Sequence, residues 1–143
     1  MQINLAQREL TLKLVYYGPA LSGKTTNLRA LHALAPPAGV GRLMNLETRD
    51  DRTLFFDLLP MFVRTGSGLK VKLKLYTVPG QVIHESTRRV VLQQADGVVF
   101  VADSQVAETE ANQEAFAGLR RNMKAVELPK ALPLVVQFNK RDL

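Results

Sequence analysis

The sequence predicts an α/β fold, a mostly parallel sheet flanked by helices, and three observations carry that expectation. Strand-like and helix-like patterns alternate along the chain. A glycine-rich turn, G-P-A-L-S-G-K-T at 18–25, stands between the first such strand and the first such helix. A polar quartet, N-K-R-D at 139–142, follows a late apolar run, Leu134-Val135-Val136-Gln137-Phe138.

Each element has a local reason. The β-branched and aromatic run T-L-K-L-V-Y-Y at 11–17 reads as a buried strand. Residues 25–34 read as a helix with Leu28, Leu31 and Leu34 on one side, halted by Pro36 and Pro37. Residues 38–53 are polar and contain two glycines, so they read as a long connector, and a loop of that length in a compact domain usually carries function. Residues 54–59 and 69–77 read as the strands of a hairpin turning at Gly66-Ser67-Gly68. A short helix follows at 84–94, then a buried strand at 97–102 (G-V-V-F-V-A). Residues 107–127 form a helix with Ala111, Ala115, Leu119, Met123 and Val126 near one face. The run at 134–138 is a late parallel strand whose carboxyl end faces a ligand.

The turn at 18–25 is a complete P-loop in the right setting. Gly18 and Gly23 let the backbone turn tightly and bring successive N–H groups onto a β-phosphate. The Lys24 ammonium reaches β- and γ-oxygens as a point charge, and the Thr25 hydroxyl ligates Mg²⁺. The next helix adds its positive N-terminus. The expected phosphate-binding set is Gly18, Ala20, Leu21, Ser22, Gly23, Lys24, Thr25 and Thr26. A glycine turn serving only the core does not account for Lys24-Thr25 at this spacing.

The quartet at 139–142 selects the base. Guanine presents N1–H and an exocyclic amine on one edge, and Asp142 accepts both. Adenine would set a lone pair against that carboxylate, at a cost on the order of several kcal/mol. Asn139 ties the base loop to the P-loop, and the stem of Lys140 lies over the purine ring. GTP and GDP, with Mg²⁺, are therefore the expected ligands. A merely polar strand-end turn is the plainer alternative, weakened by the P-loop upstream.

Composition narrows the classes. The 143 residues suffice for one domain with a core, and 46% hydrophobic with 22% charged residues is ordinary for a globule. No apolar stretch is long enough to span a membrane, and the N-terminus M-Q-I-N-L-A-Q-R-E lacks a signal-peptide layout, so a cytoplasmic protein is expected. The absence of cysteine excludes disulfides, thiolate chemistry and prenylation. The net charge of +6 is scattered, with Lys70, Lys72 and Lys74 alternating with Val71, Leu73 and Leu75 as the solvent face of a strand. Without interleaved aromatics there is no stacking platform, so no nucleic-acid partner is expected; an acidic protein or anionic surface suits the charge better.

With P-loop, hairpin and guanine motif in order, the chain resembles the small Ras-like GTPases, and within them the MglA branch of bacterial gliding motility and cell polarity. The resemblance rests on L-V-Y-Y-G-P at 14–19, G-K-T-T-N-L at 23–28, D-R-T-L-F-F-D at 51–57, L-Y-T-V-P-G-Q at 75–81, D-G-V-V-F-V-A-D-S-Q at 96–105 and F-N-K-R-D-L at 138–143. It implies a G domain in which Gly80 donates its N–H to the γ-phosphate and Gln81 orients the attacking water. It further implies that Thr53 closes over Mg²⁺ in the triphosphate state and that Arg52 neutralises transition-state charge from within the chain. An arginine in that role is worth roughly 10³ to 10⁵ in rate. A roadblock-fold GAP of the MglB type, which repositions Arg52 and Gln81, and polarity or motility effectors are the implied partners. The strand at 54–59 is implied to shift register between nucleotide states.

Three departures from the pattern shape the expectations. Thr77 stands where most small GTPases carry an aspartate that supports Mg²⁺ through water, so the metal leans more on Thr25, the phosphates and Thr53. Ala20 replaces the usual glycine and crowds the γ-phosphate, so hydrolysis is expected to be slow without a GAP. A Ras-like domain also requires a strand, a loop and a helix after N-K-x-D, so residues 1–143 are expected to form a single incomplete G domain, with 134–138 an exposed edge and weak nucleotide affinity. The expected function is a GTP-binding and GTP-hydrolysing switch. A catalytically impaired GTP-binding module is the alternative, ahead of an adenine-specific P-loop enzyme or a nucleic-acid binder.

Overall fold

The computed structural model describes residues 1–48, 54–78 and 85–143. In chain order it contains β1 (Gln2–Asn4), β2 (Glu9–Tyr17), α1 (Lys24–Leu34), β3 (Met44–Thr48), β4 (Leu54–Arg64), β5 (Lys70–Thr77), α2 (Glu85–Leu92), β6 (Gly97–Asp103), α3 (Thr109–Ala125) and β7 (Leu134–Asn139). Short 3-10 turns lie at Pro37–Gly39 and Val106–Glu108. The strands form one sheet in the order β3-β4-β5-β2-β6-β7. β5, β2, β6 and β7 are mutually parallel, whereas β3, β4 and β5 pair antiparallel. β1 runs antiparallel along Glu9–Thr11, the stretch of β2 before its pairing with β6 begins at Leu14.

The fold class holds: this is a mixed, mostly parallel sheet flanked by helices, as in Ras-like P-loop GTPases. β2 is the switch point of the sheet, because β3, β4 and β5 fill one side of it before the chain crosses to the other through β6. Open α/β sheets bind ligands outside the carboxyl ends of the strands at such a point. The glycine turn that follows Tyr17 occupies that place.

The sequence of β2 divides the core. Val15 and Tyr17 face one side with Val78, Val91, Leu92, Val98, Phe100 and Leu119, under α2 and α3. Leu14 and Tyr16 face the other, against Leu28 of α1, Leu59 and Leu75. Both faces are therefore covered, as a parallel sheet requires. Leu28, Leu92 and Leu119, one from each helix, are fully buried.

The connector expected at 38–53 is a loop only in part. β3 forms within it and pairs antiparallel with β4, from Met44 opposite Leu58 to Thr48 opposite Leu54. The reason is tertiary: a polar segment with alternate apolar residues takes up the unpaired N–H and C=O groups along the free edge of β4. β4 itself continues to Arg64, beyond the expected end at 59. Pro60 lies inside it, and its carbonyl accepts the Gly41 N–H at 2.8 Å, so the connector also covers the strand at the proline. β1 was not expected, since a three-residue strand carries no periodic signal.

β7 is the last strand of the sheet, and Val135 and Phe138 are 59% and 63% exposed there. Among the described residues no helix is long and apolar enough to cross a membrane.

Candidate functional site

The turn after β2 is held by its own lysine. The Lys24 ammonium donates to the carbonyl oxygens of Pro19 at 2.6 Å and Gly18 at 3.0 Å. Among the described residues no carboxylate forms an ion pair with it, although Lys24 is buried. Burial and then the nearby Arg88 charge lower its pKa from 10.5 to about 8. A buried cation held, among the described residues, by carbonyl oxygens suits an incoming anion. Gly23 has a positive φ of 104°, and a Cβ there would meet the Asn139 amide nitrogen at 2.6 Å. This glycine is thus required by the base motif as well as by the turn. Leu21 also adopts a left-handed conformation and is exposed, as are Ala20 and Thr26; Ser22 is buried.

The quartet at 139–142 lies beside this turn. Asn139 donates its amide to the Ser22 carbonyl at 3.1 Å and accepts from Gln137 at 2.6 Å. Gln137 also donates to Asn27 at 2.7 Å, which in turn donates to the Gly23 carbonyl at 2.8 Å. Lys140 donates to the Leu21 carbonyl at 2.6 Å and to Asp103 at 2.9 Å. Its stem thereby crosses from the base loop to the P-loop. Burial alone would raise the Asp103 pKa; hydrogen bonds from Lys140 and Gln105 outweigh it and hold the carboxyl below its usual range. Asp142 is exposed. Asp103 was not singled out in the sequence, although it closes the buried strand of β6.

The metal side contains a residue that the sequence reading missed. The Thr25 hydroxyl donates to Asp57 Oδ2 at 2.6 Å, and Thr77 donates to the same oxygen at 3.2 Å. Thr77 Oγ1 also accepts the Asp57 backbone N–H at 2.9 Å, and Asn45 donates to Oδ1 at 2.8 Å. The carboxylate expected to be missing because of Thr77 therefore arrives from β4, and Thr77 holds it. A Thr25 hydroxyl that donates to Asp57 keeps its lone pairs for a cation. The donor set, a hydroxyl beside a carboxylate near a phosphate cradle, fits Mg²⁺. A lone carboxylate inside L-F-F-D-L-L was the available signal.

α2 and α3 form the wall on the other side. Asn122, fully buried on α3, donates to Glu85 at 2.9 Å and to the Tyr17 hydroxyl at 3.1 Å. It accepts from Arg89 Nε at 3.0 Å. Glu85 accepts from Arg88 at 2.8 Å with its other oxygen. Between this wall and Gly18–Ala20 lies a cavity of about 520 Å³, lined also by Gly118 and Arg121.

Arg52, Thr53, Gly80 and Gln81 lie outside the described residues. Among the described residues, the turn after β2 and the quartet after β7 are joined through Asn139 and Lys140.

No protein-family model matches this chain. It is 48% identical over 143 residues to the mutual gliding-motility protein MglA of Myxococcus xanthus, covering 99% of this chain and 73% of that relative. With the P-loop, the guanine-type quartet and the mixed sheet in one frame, this similarity shows that the chain belongs to the MglA family of Ras-like small GTPases.

Proposed function

We propose that this protein is a guanine-nucleotide switch that binds and hydrolyses GTP and acts in gliding motility or cell polarity. One observation carries the reading. The Asn139–Ser22 hydrogen bond sets the base-reading quartet against the phosphate turn, so one nucleotide would satisfy both. The relative's name supports the cellular role.

In this reading Lys24 and the N–H groups of the turn hold the phosphates, and Asp142 takes the guanine edge. Thr25 would hold Mg²⁺ with Asp57 behind it, and when bound the ion neutralises charge between the β- and γ-phosphates. Thr53 and Gly80 would close on the triphosphate, Gln81 would orient water, and Arg52 would neutralise developing charge. Loss of the γ-phosphate would release both segments. An MglB-type roadblock GAP that repositions Arg52 and Gln81 is the proposed regulator, and the cytoplasm the proposed compartment.

Identifying the nucleotide that co-purifies with the native protein tests this reading. GDP or GTP is expected, with ADP competing on the order of a hundredfold more weakly, since a carboxylate that the bound base covers and leaves mismatched costs several kcal/mol. Retention of adenine nucleotides, or of none, contradicts it.

Ala20 favours a second reading, a GTP-binding module with impaired hydrolysis. Its methyl lies on the cavity wall that adjoins the lysine carbonyl clamp. Ala20→Gly should raise the single-turnover rate by about tenfold, in line with the cost of a small misplacement at a reacting centre. An unchanged rate would remove Ala20 as the brake.

A further inference from the structure

The sheet carries an uncovered surface at the end remote from the phosphate turn. Across β4 and β5, Arg64 lies opposite Lys70 and Phe62 opposite Lys72; on the other side of β5, Glu9 of β2 lies beside Lys70. Residues opposite one another in a sheet project from the same face, so these five side chains share one surface. Nearer the turn, that face is covered by α2 and α3. The cover reaches Lys13, whose ammonium donates to the Gln93 carbonyl just past α2 at 2.8 Å. Beyond it Phe62 is 45% exposed, and Arg64 and Lys70 are exposed. A hollow of about 510 Å³ opens here and runs past Val63 to the Ala38–Gly39 end of the 3-10 turn.

The charge of this hollow is one-sided. Arg64, Lys70 and Lys72 line it against a single carboxylate, Glu9. Among the described residues none of the four forms an ion pair. The Lys72 ammonium sits 5.8 Å from the centre of the Phe62 ring, so cationic and apolar surface meet at one spot. The strand edge beside them is also open. The connector's bridge to β4 joins Val40 to Met61, and from Phe62 to Arg64 that edge has no strand partner among the described residues.

We propose that this surface docks a partner protein through an extended acidic segment. Its carboxylates would meet Arg64, Lys70 and Lys72, and an apolar side chain would sit against Phe62. Charge complementarity selects the sign of the occupant, since the lining lacks the anions that its cations call for. An open strand edge suits an extended chain, which gains main-chain hydrogen bonds there. The concave shape takes a few side chains, whereas a flat bilayer would lie across its rim. A nucleic-acid strand would find one ring to stack on, not a row of them. β2 runs from Glu9 to Tyr17, roughly 25 Å at the usual strand rise, so a partner held at its start leaves the phosphate turn open. Docking here is independent of which nucleotide the turn binds.

The test selects a display library of short random peptides on the full chain at low salt. Recovered sequences should be rich in Asp and Glu around an apolar residue. As fluorescent peptides they should bind about tenfold more weakly to the Lys70→Glu, Lys72→Glu double variant, the scale of two reversed contact charges. Phe62→Ser should weaken them while leaving their salt dependence unchanged. Thermal unfolding checks each variant; if the double reversal does not fold, Lys70→Gln with Lys72→Gln should show a loss of about threefold. Recovery of no peptide, recovery without acidic enrichment, or equal affinity for native and charge-altered chains overturns the proposal. Co-sedimentation with phosphatidylserine vesicles and titration with a single-stranded oligonucleotide run in parallel. Binding to either that the double variant abolishes would assign the surface to a membrane or a nucleic acid and overturn the proposal as well.

Discussion

Replacing Lys24 with methionine removes nucleotide binding and, at the same time, a pH dependence from the stability of the nucleotide-free protein. The binding loss is expected to be roughly 10²-fold or more, the scale for deleting one partner of a buried charged contact. The pH effect follows from burial. The folded protein holds Lys24 at a pKa of about 8 against an ordinary 10.5. Between those values the unfolded chain binds a proton that the folded chain has released, so stability rises with pH through that window. Below it, folding keeps a buried charge and is penalised by a constant amount. Tyr16, Tyr17 and Tyr76 are raised by burial and act in the opposite sense at still higher pH. The comparison therefore belongs between pH 8 and 10. There the native protein should gain on the order of 2 kcal/mol relative to Lys24→Met, measured by denaturant unfolding at each pH. Phosphate binding restores the charged lysine, so nucleotide affinity of the native protein should fall over the same interval. Parallel stability profiles for the two proteins would show that Lys24 is not the buried titrating group.

Substituting Asp57 should separate metal support from folding. Asp57→Asn keeps the shape of the side chain but removes the charge behind Thr25. GDP affinity in Mg²⁺ is expected to fall by about tenfold, the scale of one charge-assisted contact, with no matching change in the presence of EDTA. The swap Asp57→Asn with Thr77→Asp returns a carboxylate to the same cluster from the neighbouring strand and should recover most of that loss. Recovery distinguishes a charge requirement from a requirement for strand β4 itself. Asp57→Ala should, in addition, destabilise the protein by about 3 kcal/mol, because Thr25, Thr77 and Asn45 lose a buried acceptor together. If Asp57→Asn leaves the Mg²⁺ dependence of GDP binding intact, the carboxylate serves the fold alone.

Local patterns made much of this molecule legible. The strand–turn–helix around 18–25 was readable because glycine spacing, a β-branched run and a proline stop are local signals. The continuous run L-V-Y-Y does not reveal which residue faces which helix, yet a buried strand requires both faces to be covered. β3 was unreadable as a strand because its pairing is supplied by the β4 edge, not by its own residues. Asp57 shows no role within its local motif, since its relation to Thr25 spans 32 positions and exists only after β4 pairs with β5. Asn122 carries no local signal on its helix, and only the packing of α3 under β2 makes it the partner of Tyr17, 105 positions away.

Sequence alone determined the chemistry on offer: a phosphate turn with its lysine and threonine, and a quartet suited to guanine. Those functions reside in residue types at fixed short spacing, where the backbone itself sets the geometry. Tertiary structure decided which carboxylate stands beside Thr25, which residues bind the base loop to the turn, and which side chain of α3 reaches Tyr17. These depend on sheet order and helix docking, where contacts join residues far apart in the chain and a local pattern holds no record of the partner.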